Sequence, residues 1–130
     1  MTVELCRRQQ SVEMPSIDVP VERLQKALDL GGNTHTVEDV VEAIKTGGMQ
    51  CWWNDRAMVV TEVVQYPRGR ALNVFLAAGW LEDVMSLQPQ IEEFGRSQGC
   101  KSMHMRGRRG WKRVLPQYGW AETVAFERKL

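Results

Sequence analysis

The hydrophobic pattern switches along the chain between a period of 2 and a period near 3.6, and the switches mark the elements. Thr2 to Arg7 alternates, with Val3 and Leu5 on one face and Glu4 on the other, which predicts a short strand. Ser11 to Val19 is polar, is broken by Pro15 and ends at Pro20. A proline there suits the first turn of a helix, because its missing N–H would be unpaired anyway. Val21, Leu24 and Leu28 then form a helical stripe that Gly31-Gly32 stops. Thr36 stands three residues before Asp39, a capping-box spacing. Val37, Val40, Val41 and Ile44 follow at i, i+3, i+4, i+7, and Gly47-Gly48 ends this second helix.

From Gln50 the period is 2. Gln50 to Trp53 predicts a strand, Asn54-Asp55 a two-residue turn, and Arg56 to Gln65, rich in Val and Thr, a second strand. Tyr66-Pro67-Arg68-Gly69 is a turn, and Arg70 to Ala78 a third strand. Tight turns between them make an antiparallel meander. Leu81, Val84, Gln88, Ile91 and Phe94 then lie along a helical face closed by Gly99, and Pro89 inside that run kinks or splits the helix. Cys100 to Arg106 is a short strand. The helix-length connection before it implies that it runs parallel to the Arg70 to Ala78 strand. A basic loop between Gly107 and Gly110, a brief helix from Trp111 to Tyr118 broken by Pro116, and a last strand at Thr123 to Phe126 complete the chain. The layout is α+β and fits one domain over residues 1–130.

Composition narrows the function classes. Apolar residues are 43% and charged residues 25%, ordinary for a globular protein. A net charge of +1 argues against nucleic-acid binding by overall charge and against disorder from self-repulsion. Cys6, Cys51 and Cys100 are odd in number and widely spaced, so they predict neither a disulfide framework nor a zinc site, and no metal is expected. No signal peptide and no membrane-length apolar run is present, which points to the cytoplasm. Trp52, Trp53, Trp80, Trp111 and Trp120 either fill the core or form a partner surface.

The C-terminal run Trp111-Lys112-Arg113-Val114-Leu115-Pro116-Gln117-Tyr118-Gly119-Trp120, followed by Ala121 to Leu130, resembles the ending of GNAT-type acyltransferases: short helix, Gly-aromatic pair, last strand. The order of elements resembles that superfamily over essentially the whole chain. Arg108-Arg109-Gly110-Trp111 with Gly119-Trp120 also resembles small GNAT-like proteins encoded by tailed phages. The resemblance implies a mixed sheet with an antiparallel meander, a splayed parallel strand pair and flanking helices. It implies acyl-CoA-dependent N-acetyl transfer, with acetyl-CoA held by Leu76, Ala77, Ala78, Gly79, Trp80 and Leu81. The phage likeness implies the alternative of a non-enzymatic binding or virion-associated module, in host cytoplasm or virion.

Departures from the family pattern shape the expectations. The Ala77-Ala78-Gly79-Trp80-Leu81 loop has one glycine and no Lys or Arg, and Glu82-Asp83 follow it. Free N–H groups at a helix start attract phosphate, but two carboxylates repel it, so weak or lost cofactor binding is expected. Leu115 stands where the family often has a proton-donating tyrosine, and Tyr118 is three residues away. As general base for an amine, the residues offer Glu62, alternating with Val60 and Val64, and His104, between Met103 and Met105. Both also have plain structural readings: Glu62 on a solvent face, His104 as a satisfied strand residue. Arg106, Arg108, Arg109, Lys112 and Arg113, with Trp111 among them, form the basic cluster. It is read as solvated or as docking a protein partner through Arg108, Arg109, Trp111, Lys112 and Arg113, ahead of nucleic acid. An oligomer is compatible with the sequence.

Overall fold

The computed structural model describes residues 6–7, 21–30, 34–107 and 109–130. Most of the predicted first strand, the polar segment 11–19 and Gly31-Gly32 lie outside them. The sheet is mixed and five-stranded, in the order β1-β2-β3-β4-β5. β1 is Cys6–Arg7, β2 Gln50–Trp53, β3 Met58–Tyr66, β4 Gly69–Ala78 and β5 Cys100–Met105. β2, β3 and β4 are the expected antiparallel meander. β5 runs parallel to β4, and β1 parallel to β2, each after a helical connection.

Helices cover both faces of the sheet. α1 (Val21–Leu30) and α2 (Val37–Lys45) place Leu24, Leu28, Val40 and Ile44 on one face, against Cys51, Trp53, Met58, Val60 and Leu76. α3 (Leu81–Met85) and α4 (Gln88–Ser97), with Leu87 between them, place Val84, Met85 and Ile91 on the other, against Trp52, Ala57, Val59 and Leu72. We call these the first and second faces. Trp52 and Trp53 are therefore core residues, whereas Trp80 is 78% exposed.

Local chemistry sets the boundaries. The Thr36 hydroxyl accepts from the Asp39 N–H at 3.1 Å, and the Asp39 carboxylate accepts from the Thr36 N–H at 2.9 Å, the predicted capping box. The helical run containing Pro89 is split: α3 stops at Met85, and Pro89 sits in the first turn of α4, where it removes no helical hydrogen bond. The brief helix expected at Trp111 to Tyr118 is instead two 3-10 turns, Arg109–Trp111 and Leu115–Tyr118, with Pro116 opening the second. Gly119, at φ 90°, ends it in the left-handed conformation that glycine favours.

The predicted strand at Thr123 to Phe126 does not form. Residues 121–130 pair with no strand, and Val124, Phe126 and Leu130 are exposed. The segment passes the end of β5, but a cavity of about 410 Å³ separates them, lined on one side by Met105 to Gly107 and on the other by Trp120 to Thr123. Alternation predicts a strand only where a neighbouring edge lies within hydrogen-bond reach.

One polar chain crosses the second face. Thr61, fully buried, accepts from Trp52 Nε1 at 3.0 Å and donates to Gln50 Oε1 at 2.8 Å. Thr61→Val keeps the shape and strands both partners, so it should cost about 2–4 kcal/mol by urea denaturation, while Thr61→Ser should cost roughly 1 kcal/mol. Asp39 gives a pH test. Hydrogen bonds from Thr36, the backbone one first, hold its carboxyl below the usual value. Its contribution is therefore present above the unfolded-state pKa and lost as pH falls through the folded-state pKa. Asp39→Asn should lower Tm at neutral and alkaline pH by a constant amount and little at acid pH, which flattens the acid limb of Tm against pH.

Candidate functional site

A single extra residue determines which side chains meet. Val60 pairs with Leu76, but Thr61 pairs with Val74, leaving Phe75 as a bulge in β4. Before the bulge, Leu76 and Ala78 share the first face with Val60 and Met58; after it, Asn73 takes that face opposite Glu62. Asn73 is also the register partner of His104 on β5. Met103 and Met105 pack on the second face, so Ser102 and His104 point to the first. The two candidate bases read from the sequence thus lie in one cross-strand row, Glu62–Asn73–His104.

The row is polar and reachable. Glu62 and Asn73 are half-buried and His104 is exposed. Asn73 Nδ2 donates to Glu62 Oε2 at 2.8 Å, and His104 Nε2 shares a hydrogen bond with Ser102 Oγ at 2.9 Å. At the bulge, the His35 ring stands edge-on to Phe75 with centroids 4.6 Å apart, and its Nδ1 contacts Thr34 Oγ1 at 2.9 Å. The segment before α2 therefore reaches the first face beside the row. Glu62 shares the first face with Val60 and is half-buried. Both faces of β3 are buried from Met58 to Thr61, and burial becomes partial from Glu62 onward.

The strand-to-helix turn read as a cofactor loop packs against the β2–β3 turn. Leu76 is a core side chain, so it offers only backbone. Gly79 has φ +115°, and a Cβ there would lie 2.5 Å from the Arg56 carbonyl oxygen and 3.0 Å from Ala57 Cα. The space a side chain would need is filled by the β2–β3 turn. Asn54 fixes that turn. Its Oδ1 accepts from the N–H groups of Arg56 and Ala57, and its Nδ2 donates to Asp83 O at 3.2 Å and Ser86 Oγ at 2.9 Å. α3 has five residues, with Glu82 and Asp83 in its first turn. The short helix and the two carboxylates in its first turn give an anion little attraction at this turn.

The remaining candidates are scattered. Leu115 packs in the second-face core, and Tyr118 is 38% exposed, its backbone carbonyl accepting from Gln88 Nε2. Arg108 and the Arg109 side chain lie outside the described residues. Trp111 is half-buried next to Gly107, where a Cβ would lie 3.4 Å from its ring. Lys112 is paired with Glu122 at 3.5 Å, and Arg113 is exposed. Burial raises the Cys100 thiol, with Arg70 opposing, so it stays protonated and is a poor nucleophile. Among the described residues no three His, Cys, Asp or Glu side chains gather as a metal site, and no helix is long and apolar enough to cross a membrane. Asn73, Asn54 and His35 were missed by sequence reasoning. An asparagine inside an apolar strand was a signal for the first of them.

No family model matches the chain, and no curated protein matches it. Solved structures do. A glucosamine-6-phosphate N-acetyltransferase from Arabidopsis thaliana is similar at 12% identity and a TM-score of 0.58, over 86% of this chain and 94% of that one. A Trypanosoma brucei acetyltransferase is similar at 10% identity and a TM-score of 0.59, over 85% and 94%. An aminoglycoside acetyltransferase from an uncultured soil metagenomic sample, in complex with sisomicin, is similar at 9% identity and a TM-score of 0.54, over 90% and 93%. The fold is that of GNAT-type acetyltransferases, as the order of elements implied.

The packed turn generates its own test. Gly79→Ala forces a strained φ and a clash with backbone, and should destabilise the protein by roughly 1–3 kcal/mol. Asn54→Ala should cost about 1–2 kcal/mol, since the buried Ala57 N–H and the half-buried Asp83 carbonyl lose their bonds. A Gly79→Ala protein as stable as wild type in chemical denaturation would mean that the two turns do not press together.

Proposed function

We propose that the protein transfers an acyl group from a thioester to an amine, with Glu62 as general base. The observation that carries this reading is the row Glu62–Asn73–His104, set on the first face of an acetyltransferase fold where β4 continues past its last β5 partner, Val74. A thioester supplies an activated acyl carbon. Asn73 holds one oxygen of the Glu62 carboxylate, which leaves the other to take a proton from an incoming amine. His104, exposed at the end of the row, contacts the acceptor. Transfer forms an N–C bond and breaks the C–S bond. The amine proton goes to Glu62, and the departing thiolate takes its proton from solvent, since Leu115 has none to give.

A second reading follows from Glu82 and Asp83 in the first turn of α3, which disfavour an anionic donor. Here the same fold serves a non-enzymatic, virion-associated module of phage type, docking a protein through the Arg108–Arg113 segment. Activity separates the two. With an acetyl thioester and a panel of amines, Glu62→Gln should lower kcat about a hundredfold with Tm nearly unchanged. Asn73→Ala should lower kcat by about tenfold, because it releases the base from its orientation without removing it. Transfer equally fast in Glu62→Gln would remove Glu62 as base, and no transfer to any amine would favour the docking module.

A further inference from the structure

We propose that the open edge of β5 takes residues 123–127 of a second copy of this chain as an added strand, each copy giving its C-terminal segment to the other in a closed dimer. An unpaired edge and an unpaired tail at the same end of the molecule carry the proposal.

β5 is the last strand of the sheet, and among the described residues nothing pairs with its outer side. Unpaired N–H and C=O groups along a sheet edge are a template for another strand. A charged side chain often guards such an edge. Lys101, the cation within β5, is drawn to the other side: a Cβ at Gly69 on β4 would lie 3.4 Å from its Cε. Beside Met105 to Gly107 the edge borders the cavity of about 410 Å³, which Leu115, Pro116 and Trp120 also line. The cavity separates β5 from the tail, so the tail stands farther from its own β5 than the roughly 4.8 Å at which strands pair.

The start of the tail is fixed. Trp120 Nε1 donates to Gln88 Oε1 at 2.9 Å, and Glu122 pairs with Lys112 at 3.5 Å. From Thr123 onward no hydrogen bond or ion pair to a described residue holds the chain, and Phe126 is 94% exposed. Its pattern is nevertheless that of a strand, and it matches β5 position by position. Met103 and Met105 lie on the second face, Ser102 and His104 on the first, and Arg106 is next in the alternation. Laid parallel to β5, the second copy's Thr123 stands beside Ser102, Val124 beside Met103, Ala125 beside His104, Phe126 beside Met105 and Glu127 beside Arg106. Apolar side chains meet on the second face, and a carboxylate meets a guanidinium on the first. Arg128 and Lys129 end the match. The tail leaves its own chain next to the end of β5, so the giving and receiving sites are neighbours. Two copies related by a two-fold axis then satisfy each other, and the assembly closes at a dimer.

Sedimentation of the full chain over a concentration series, with hydrogen exchange of the tail amides at both ends of it, tests this. A dimer should form, and the amides of residues 123–127 should exchange about tenfold or more slowly in the dimer than in the dilute monomer. Val124→Ser combined with Phe126→Ser should weaken the dimer about tenfold or more and leave the monomer's Tm unmoved, because both side chains are exposed in the single chain. Glu127→Lys and Arg106→Glu should each weaken it about threefold or more, and the two together should restore it. A chain that is monomeric up to about 1 mM would leave the edge to some other strand and overturn the proposal. So would slow tail amides in a monomer, which would mean that the tail closes on its own β5. A dimer whose tail amides stay fast, or that the double serine variant leaves intact, would place the interface elsewhere and overturn it. Failure of the charge exchange to restore the dimer would overturn the pairing of the tail with β5.

Discussion

Burial of β3 on both faces is the constraint on which the rest of the molecule depends. Met58, Val59, Val60 and Thr61 are all shielded from water, because α1 and α2 press on one side of the sheet and α3 and α4 on the other. A strand covered on both sides cannot leave a polar side chain unpaired. Thr61 therefore sits between an indole donor and an amide acceptor. From Glu62 the cover is partial, and polar side chains become tolerable without being fully satisfied. The candidate site begins at the residue where the double cover ends.

The Phe75 bulge then selects the members of the site. In unbroken register Val74, not Asn73, would stand opposite Glu62, and the carboxylate would face a valine. One inserted residue flips the parity of β4 and carries Asn73 onto the first face, between Glu62 and His104. The extra residue also points Phe75 toward that face, where the His35 ring meets it edge-on. Sheet geometry thus converts residues distant in sequence into a row of neighbouring side chains.

Much of this order was legible in the residues themselves. Thr36 and Asp39 announced a helix start by chemistry that acts within one turn, and the structure shows both reciprocal bonds. The parallel placement of β5 followed from chain length alone, since a tight turn cannot return a strand in the same direction. What escaped depended on contacts distant in sequence. The bulge leaves no mark, because Phe75 reads as one more apolar strand residue. Thr123 to Phe126 has strand-like alternation, yet pairing needs an edge within reach, and the chain passes β5 across a cavity. Glu62 and His104 could be named as bases because carboxylate and imidazole are rare in apolar strands. Their shared face could not be deduced without the bulge.

Gly79 shows how one glycine can be required by packing between two chain segments. A glycine at a strand-to-helix turn satisfies either of two demands, the approach of a ligand to backbone or the approach of one chain segment to another. The sequence looks the same in both cases. Here the second demand is met, by Arg56 and Ala57, and Asn54 ties the two turns together with side-chain bonds to both. The contact stabilises the junction of β2, β3, β4 and α3. Once packing alone maintains the turn, carboxylates such as Glu82 and Asp83 cost nothing in folding and favour the helix start. The sheet that carries Glu62, Asn73 and His104 is untouched by this change, because their row is positioned by β3, β4 and β5 and not by the turn. Packing at the turn and the polar row on the sheet are therefore set by separate contacts, and a change in one leaves the other in place.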